Sequence, residues 1–165
     1  HTNIQVVSNQ AKGTSASQQF GAYRSAAYGP NQEAYVTIVQ KPTGDGTSVV
    51  WLDLRFQGAG TPSAEGYELE LRNRSGTDTV EIFRTGTRLG SIVFQEYDQG
   101  DSFGASIVGN TITLYRKPQG GDWVQITTRT DTTYTQAGQI GVGGGSINDG
   151  TIIDDFGGGT STLLQ

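Results

Sequence analysis

Apolar and polar residues alternate along most of this chain with a period of two, the repeat of a half-buried β-strand. In residues 33–40, Tyr35, Thr37 and Val39 alternate with Val36 and Ile38. In 49–56, Val50, Leu52, Leu54 and Phe56 share one face, and Val49, Trp51, Asp53 and Arg55 the other. In 67–73, Tyr67, Leu69 and Leu71 oppose Glu68, Glu70 and Arg72. The same rhythm predicts strands at 4–8, 19–25, 79–84, 91–97, 102–108, 111–116, 123–128, 139–143 and 151–156. Gly109 and Asn110, between Val108 and Thr111, read as a two-residue hairpin loop. Residues 41–46 and 117–122 carry Pro and Gly and read as turns, and 57–65 as a longer loop. About a dozen short strands with regular turns predict an all-β, antiparallel sandwich. Each of its sheets would have one core face and one wet face. No linker or internal repeat divides the chain, so 1–165 reads as one domain.

Composition agrees with the pattern. Of 165 residues, 25 are Gly and only 33% are apolar, too few good helix formers for a helical bundle. Eleven Lys and Arg against 16 Asp and Glu give a net charge of −5 with no basic stripe, which argues against nucleic acid as a ligand. No apolar run approaches the roughly 20 residues of a membrane helix. The absence of Cys removes disulfides and thiolate chemistry. The absence of Met suggests a processed product or an excised domain.

Three groups of residues carry a likeness beyond periodicity. The first is Val7, Ser8, Asn9, Gln10, Ala11, Lys12 and Gly13, followed by Gly21, Ala22 and Tyr23 and by the run from Tyr28 through Gly29, Pro30, Asn31, Gln32 and Glu33 to Val36. The second is Gly66, Tyr67, Glu68 and Leu69 with Gly100, Asp101, Ser102 and Phe103. The third runs from Asp131, Thr132, Thr133 and Tyr134 through Gly138, Gln139, Ile140 and Gly141 to Asp154, Asp155 and Phe156. In that order they resemble the concanavalin A-like (laminin-G-like) jelly-roll domains of bacterial secreted proteins and phage structural proteins. The resemblance spans nearly the whole chain. It implies the fold more than the function, because that fold carries lectins, glycosidases, lyases, adhesins and virion parts. Such domains open with a strand containing Phe, Asn, Arg and Asp ahead of the segment matching 4–13. That opening strand is missing here, which suggests a trimmed fold or a strand supplied by a neighbour.

The candidate chemistry is sparse. Glu68 and Glu70 share one strand face at a spacing of about 7 Å, within the range of a glycosidase acid pair. The third acid of sandwich glucanases is absent, and Arg72 stands ready to neutralise one carboxylate. A solvated, ion-paired face of Asp53, Arg55, Glu68, Glu70 and Arg72 is the expectation, not an enzyme. The only histidine is His1, which excludes a His-based triad or metal site. The triplets Gly143–Gly145 and Gly157–Gly159 lack a phosphate-loop follow-on and read as tight turns. The resemblance implies a Ca²⁺ ligand on the closing strand. Asp154 and Asp155 are the candidates, with Asp154 turned inward beside Phe156, and capping of nearby amides is the alternative. Sugar binding needs exposed aromatic faces beside planar polar groups. Trp51 with Asp53 and Arg55 makes such a platform, joined by Tyr23, Tyr28 and Glu70. Tyr97, Tyr115 and Trp123 are further outward aromatics. Trp51 under the 57–65 loop and Trp123 as an end plug are the structural alternatives.

These features predict a non-catalytic carbohydrate-binding or adhesin module of a secreted or surface protein, with a polysaccharide or glycan on the wet face of one sheet. The alternative is a structural subunit of a virion or extracellular assembly, such as a phage decoration or fibre domain, partnered by other copies or neighbouring subunits.

Overall fold

The computed structural model describes residues 3–15, 19–43, 47–61, 63–145 and 150–161. His1 and residues 44–46 of the expected 41–46 turn lie outside them. Fourteen strands form among the described residues: β1 (Ile4–Val7), β2 (Gln10–Gly13), β3 (Phe20–Tyr23), β4 (Gln32–Gln40), β5 (Val49–Gln57), β6 (Glu65–Arg72), β7 (Thr79–Arg84), β8 (Thr87–Arg88), β9 (Val93–Phe94), β10 (Ser102–Val108), β11 (Thr111–Lys117), β12 (Val124–Thr130), β13 (Gln139–Gly145) and β14 (Ile152–Thr160). They build two antiparallel sheets. The first runs β1-β2-β14-β4-β10-β11-β12, and the second β3-β13-β5-β6-β7-β8 with β9 also on β7. The all-β sandwich expected from the periodicity is therefore the fold.

The alternation places the core. Val36 and Ile38 of β4, Phe103, Ala105 and Ile107 of β10, and Ile112 and Leu114 of β11 face inward from the first sheet. Val50, Leu52 and Leu54, Tyr67, Leu69 and Leu71, and Ile140 and Val142 face them from the second, all buried. The Gly109 hairpin forms as read, with Val108 opposite Thr111 and Gly109 at φ +56°. Positive φ at the first loop residue alone matches a type II′ turn. In 117–122, Gly120 takes φ +74° and the Gly121 amide donates to Pro118 O at 2.8 Å, closing the expected turn.

Three expectations need correction. Strand 91–97 shrinks to the two residues of β9, because Tyr97 is drawn into the core, fully buried, where its hydroxyl donates to Tyr115 O at 3.1 Å. Tyr97 is thus no surface aromatic. Gly143–Gly145 and Gly157–Gly159 are strand interior in β13 and β14, not turns. The hairpin partner β2 was not expected, because Gln10–Gly13 carries no apolar alternation.

One end of the sandwich is closed by a polar plug. The β5–β6 register shifts between Leu54 and Gln57, and Arg55 sits at φ +51°. This bulge lets Arg55 follow the core residue Leu54 inward, so that it is only 1% exposed. Its Nε donates to Pro30 O at 2.6 Å, Nη1 to Tyr134 O at 2.7 Å and Nη2 to Gly109 O at 2.6 Å. Its amide donates to Gln32 Oε1 at 2.6 Å, and Gln32 Nε2 donates to Gly138 O at 2.8 Å. One side chain thereby satisfies three carbonyls from separate segments.

Replacing Arg55 by Ala would leave those carbonyls without their charged donor, a loss of about 3 kcal/mol, or about 6–12 °C in Tm at this size. Arg55→Lys should recover less than half, because an ammonium cannot reproduce the planar fork. Thermal melts test this; an unchanged midpoint in Arg55→Ala would show that the plug does not hold the sandwich end.

Candidate functional site

The outward face of the second sheet gathers most of the expected residues through strand register. One row runs Tyr23, Gly141, Asp53, Glu68 and Phe83 across β3, β13, β5, β6 and β7. The next runs Gly21, Gly143, Trp51, Glu70 and Glu81. Glycine on β13 decides how these side chains lie. A Cβ at position 143 would collide with the Trp51 ring, and one at Gly21 beyond it would lie 3.4 Å from the same ring. A Cβ at 141 would fall 2.6 Å from the Tyr23 ring and 2.7 Å from Asp53 Oδ2. Trp51 and Asp53 thus lean over a strip of bare backbone toward Tyr23. The bulge at Arg55 turns Phe56 to this side, where it stacks on Tyr23 at 5.4 Å between ring centroids.

This face is not wet in the expected sense. Asp53 is 1% exposed, Glu70 7% and Glu81 4%. Arg72 contacts Glu70 at 2.5 Å and Glu81 at 3.3 Å, and its guanidinium lies 5.9 Å over the Phe83 ring. Arg88 contacts Glu81 at 3.2 Å. The β6–β8 half is therefore ion-paired, as read from the sequence. Among the described residues no cation contacts Asp53. Neither Asp53 oxygen is in hydrogen-bonding geometry, although the Trp51 indole and Tyr23 hydroxyl are the donors facing it. Burial pushes the Asp53 carboxyl up to about 7, against the pull of those two donors. Glu70 is pushed up to about 7, first by burial and next by its contact with the Glu68 carboxyl, with Arg72 opposing. Glu68 is raised by burial and then by Asp53. The Tyr23 phenol is raised by burial, with Asp53 and Glu68 adding to it. Chemically this is a proton-holding carboxyl cluster walled by aromatic rings.

Of the six expected sugar-binding residues, Tyr23, Trp51, Asp53 and Glu70 share this face. Arg55 does not, because the bulge sends it into the end plug. Tyr28 does not either: it pairs with Gly138, and its ring lies 3.2 Å from the Cβ position of Gly159 on β14. Phe56, Phe83 and Glu81 join the face unannounced. Strict alternation placed Phe56 inward; Phe83 was legible, since it alternates with the core residue Ile82.

On the first sheet, Trp123 is not an end plug. It stands edge-on to Tyr35 and Tyr115, and with Thr37, Ser102, Lys117, Asp155 and Phe156 it lines an open groove of about 580 Å³. Asp154 and Asp155 do not fit a Ca²⁺ site, which needs six to eight oxygens. Asp154 is half-buried opposite Thr37, and its Oδ1 accepts the Asp155 amide at 2.8 Å. Asp155 is exposed at φ +52° in a bulge. Among the described residues no three His, Cys, Asp or Glu side chains converge as a metal site. The pair caps a bulge amide, the alternative named above.

Raised carboxyl pKa values make the folded state hold protons that the unfolded chain, titrating near 4, has released. The stability they contribute is present below about pH 4 and is lost as pH rises through about 7. Tm should therefore fall between pH 5 and 8, and Asp53→Asn should flatten that slope. Parallel pH profiles for the two proteins would remove this reading of Asp53.

No family profile and no curated protein sequence matches the chain. Solved structures do match it. A Bacillus subtilis protein of unknown function with a galectin-like fold aligns with TM-score 0.71 at 10% identity, over 96% of this chain and 86% of that one. The exoplasmic/lumenal domain of VIP36 in its Ca²⁺/Man-bound form aligns with TM-score 0.72 at 11% identity, over 99% and 82%. A GH43 protein, BlXynB of Bacillus licheniformis, aligns with TM-score 0.53 at 14% identity, over 79% of this chain but 28% of that one. At these identities the likeness is one of fold, and that fold is the lectin-like β-sandwich.

Proposed function

We propose that the chain is a non-catalytic carbohydrate-binding module of a secreted, cell-surface or virion protein, and that its saccharide lies on the outward face of the second sheet. One observation carries this: Trp51 lies over the side-chain-free Gly143 beside Tyr23 and the Asp53, Glu68 and Glu70 carboxyls. An aromatic face meets pyranose C–H groups, and carboxyl oxygens accept sugar hydroxyls. The likeness to a mannose-bound lectin domain supports the class of ligand. Glu70 is engaged by Arg72 and by Glu68, which disfavours a free acid and base working across a glycosidic bond.

A second reading rests on the sheet edge. Among the described residues β1 pairs with β2 alone, and its Val6 and Val7 are 71% and 44% exposed. An unpaired apolar edge suits strand addition by another copy or a neighbouring subunit.

A glycan array should yield bound saccharides, and Trp51→Ala should weaken the strongest by tenfold or more, about 1.4 kcal/mol, while Trp123→Ala leaves it unchanged. An empty array sinks the lectin reading. For the second reading, light scattering should show self-association that Val6→Lys abolishes; a monomer at millimolar concentration would rule out strand addition by another copy.

A further inference from the structure

Among the described residues, the buried carboxylates other than Asp53 each meet a cation. Asp78 contacts Lys41 at 2.7 Å, Asp101 contacts Arg116 at 2.7 Å, Glu81 meets Arg72 and Arg88, and Glu70 meets Arg72. Asp53 is as deeply buried and has neither a cation nor a hydrogen bond of good geometry. A carboxylate removed from water without a partner is costly unless it is protonated or paired. Its neighbour across the strands, Glu68, is half-buried, so that solvent reaches it, and it meets the Glu70 carboxyl, with the Arg72 charge also acting on it. Around the two stand Tyr23, Trp51, Phe56 and Phe83. Carboxylates walled by aromatic faces form a surrounding suited to an ammonium group, through Coulomb attraction and the ring quadrupoles together.

We propose that this face selects an amino sugar with a free amine, whose ammonium group seats on Glu68, with the buried Asp53 carboxyl behind it, while its pyranose ring rests on Trp51. This rests on the saccharide reading given above and names the ligand's chemistry. The groups facing the seat are Tyr23 from β3, Asp53 from β5, Glu68, Glu70 and Arg72 from β6, and Glu81 from β7; β13 contributes Gly141 and Gly143. Arg72 is held on the far side by Glu70 and Glu81. An arriving cation stabilises the ionised carboxyls, so binding releases a proton from the cluster near neutral pH.

Calorimetry at pH 6.5 with three β-1,4-linked tetrasaccharides tests this: glucosamine, N-acetylglucosamine and glucose. The glucosamine tetramer should bind at least tenfold more tightly than the other two. Its heat should vary with buffer ionisation enthalpy as protons are released, and theirs should not. Asp53→Asn and Glu68→Gln should each remove that preference and the buffer-dependent heat. If all three bind alike, the amino-sugar inference falls and the saccharide reading stands. If none binds, in agreement with an empty glycan array, the saccharide reading falls. If spermidine binds as tightly as the glucosamine tetramer, the seat recognises an amine without its sugar and the proposal is overturned.

Discussion

The guanidinium of Arg55 is the constraint on which the site's arrangement depends. A charged side chain at 1% exposure is tolerated because every edge of its fork meets a carbonyl. Those carbonyls come from the approach to β4, the β10–β11 turn and the loop ahead of β13, so one residue of the second sheet gathers three remote segments. The bulge that admits Arg55 also reverses the facing of Phe56 and brings it against Tyr23. Closure of the sandwich end and construction of the aromatic wall are two results of one extra residue in β5.

The glycine-rich strands solve a second problem. Outward side chains on neighbouring strands compete for the same few ångströms above the sheet. Glycine at 141 and 143 removes that competition, and Trp51, Asp53 and Tyr23 spread into the vacated strip. The first sheet repeats the device, since a side chain at Gly157 would collide with Tyr35. Strand glycine ordinarily weakens a sheet; here it is exchanged for aromatic surface laid over backbone.

The electrostatics divide the outward face in two. Toward β7 and β8 the charges are matched by Arg72 and Arg88 and need no ligand. Toward β3 and β13 the Asp53 carboxyl is desolvated without a cation beside it, and burial pushes it up to about 7.

Much of this was legible in the chain itself. Period-two alternation placed Val50, Leu52, Leu54, Tyr67, Leu69 and Leu71 in the core and put Trp51, Asp53, Glu68 and Glu70 together outside, because strand geometry ties facing to parity. The Gly109 hairpin was equally local. Arg55 and Phe56 were misplaced because a bulge breaks parity and leaves no mark in composition. The glycine triplets of β13 and β14 carry no side-chain pattern and could not announce a strand. Burial of Asp53 was equally hidden, since it arises from rings contributed by β3 and by its own strand leaning over a third. Sequence alone determined which residues face outward, since that depends on neighbours along the strand. Only the tertiary structure decided which of them are dry, paired or left without a cation, since those depend on what other strands bring beside them.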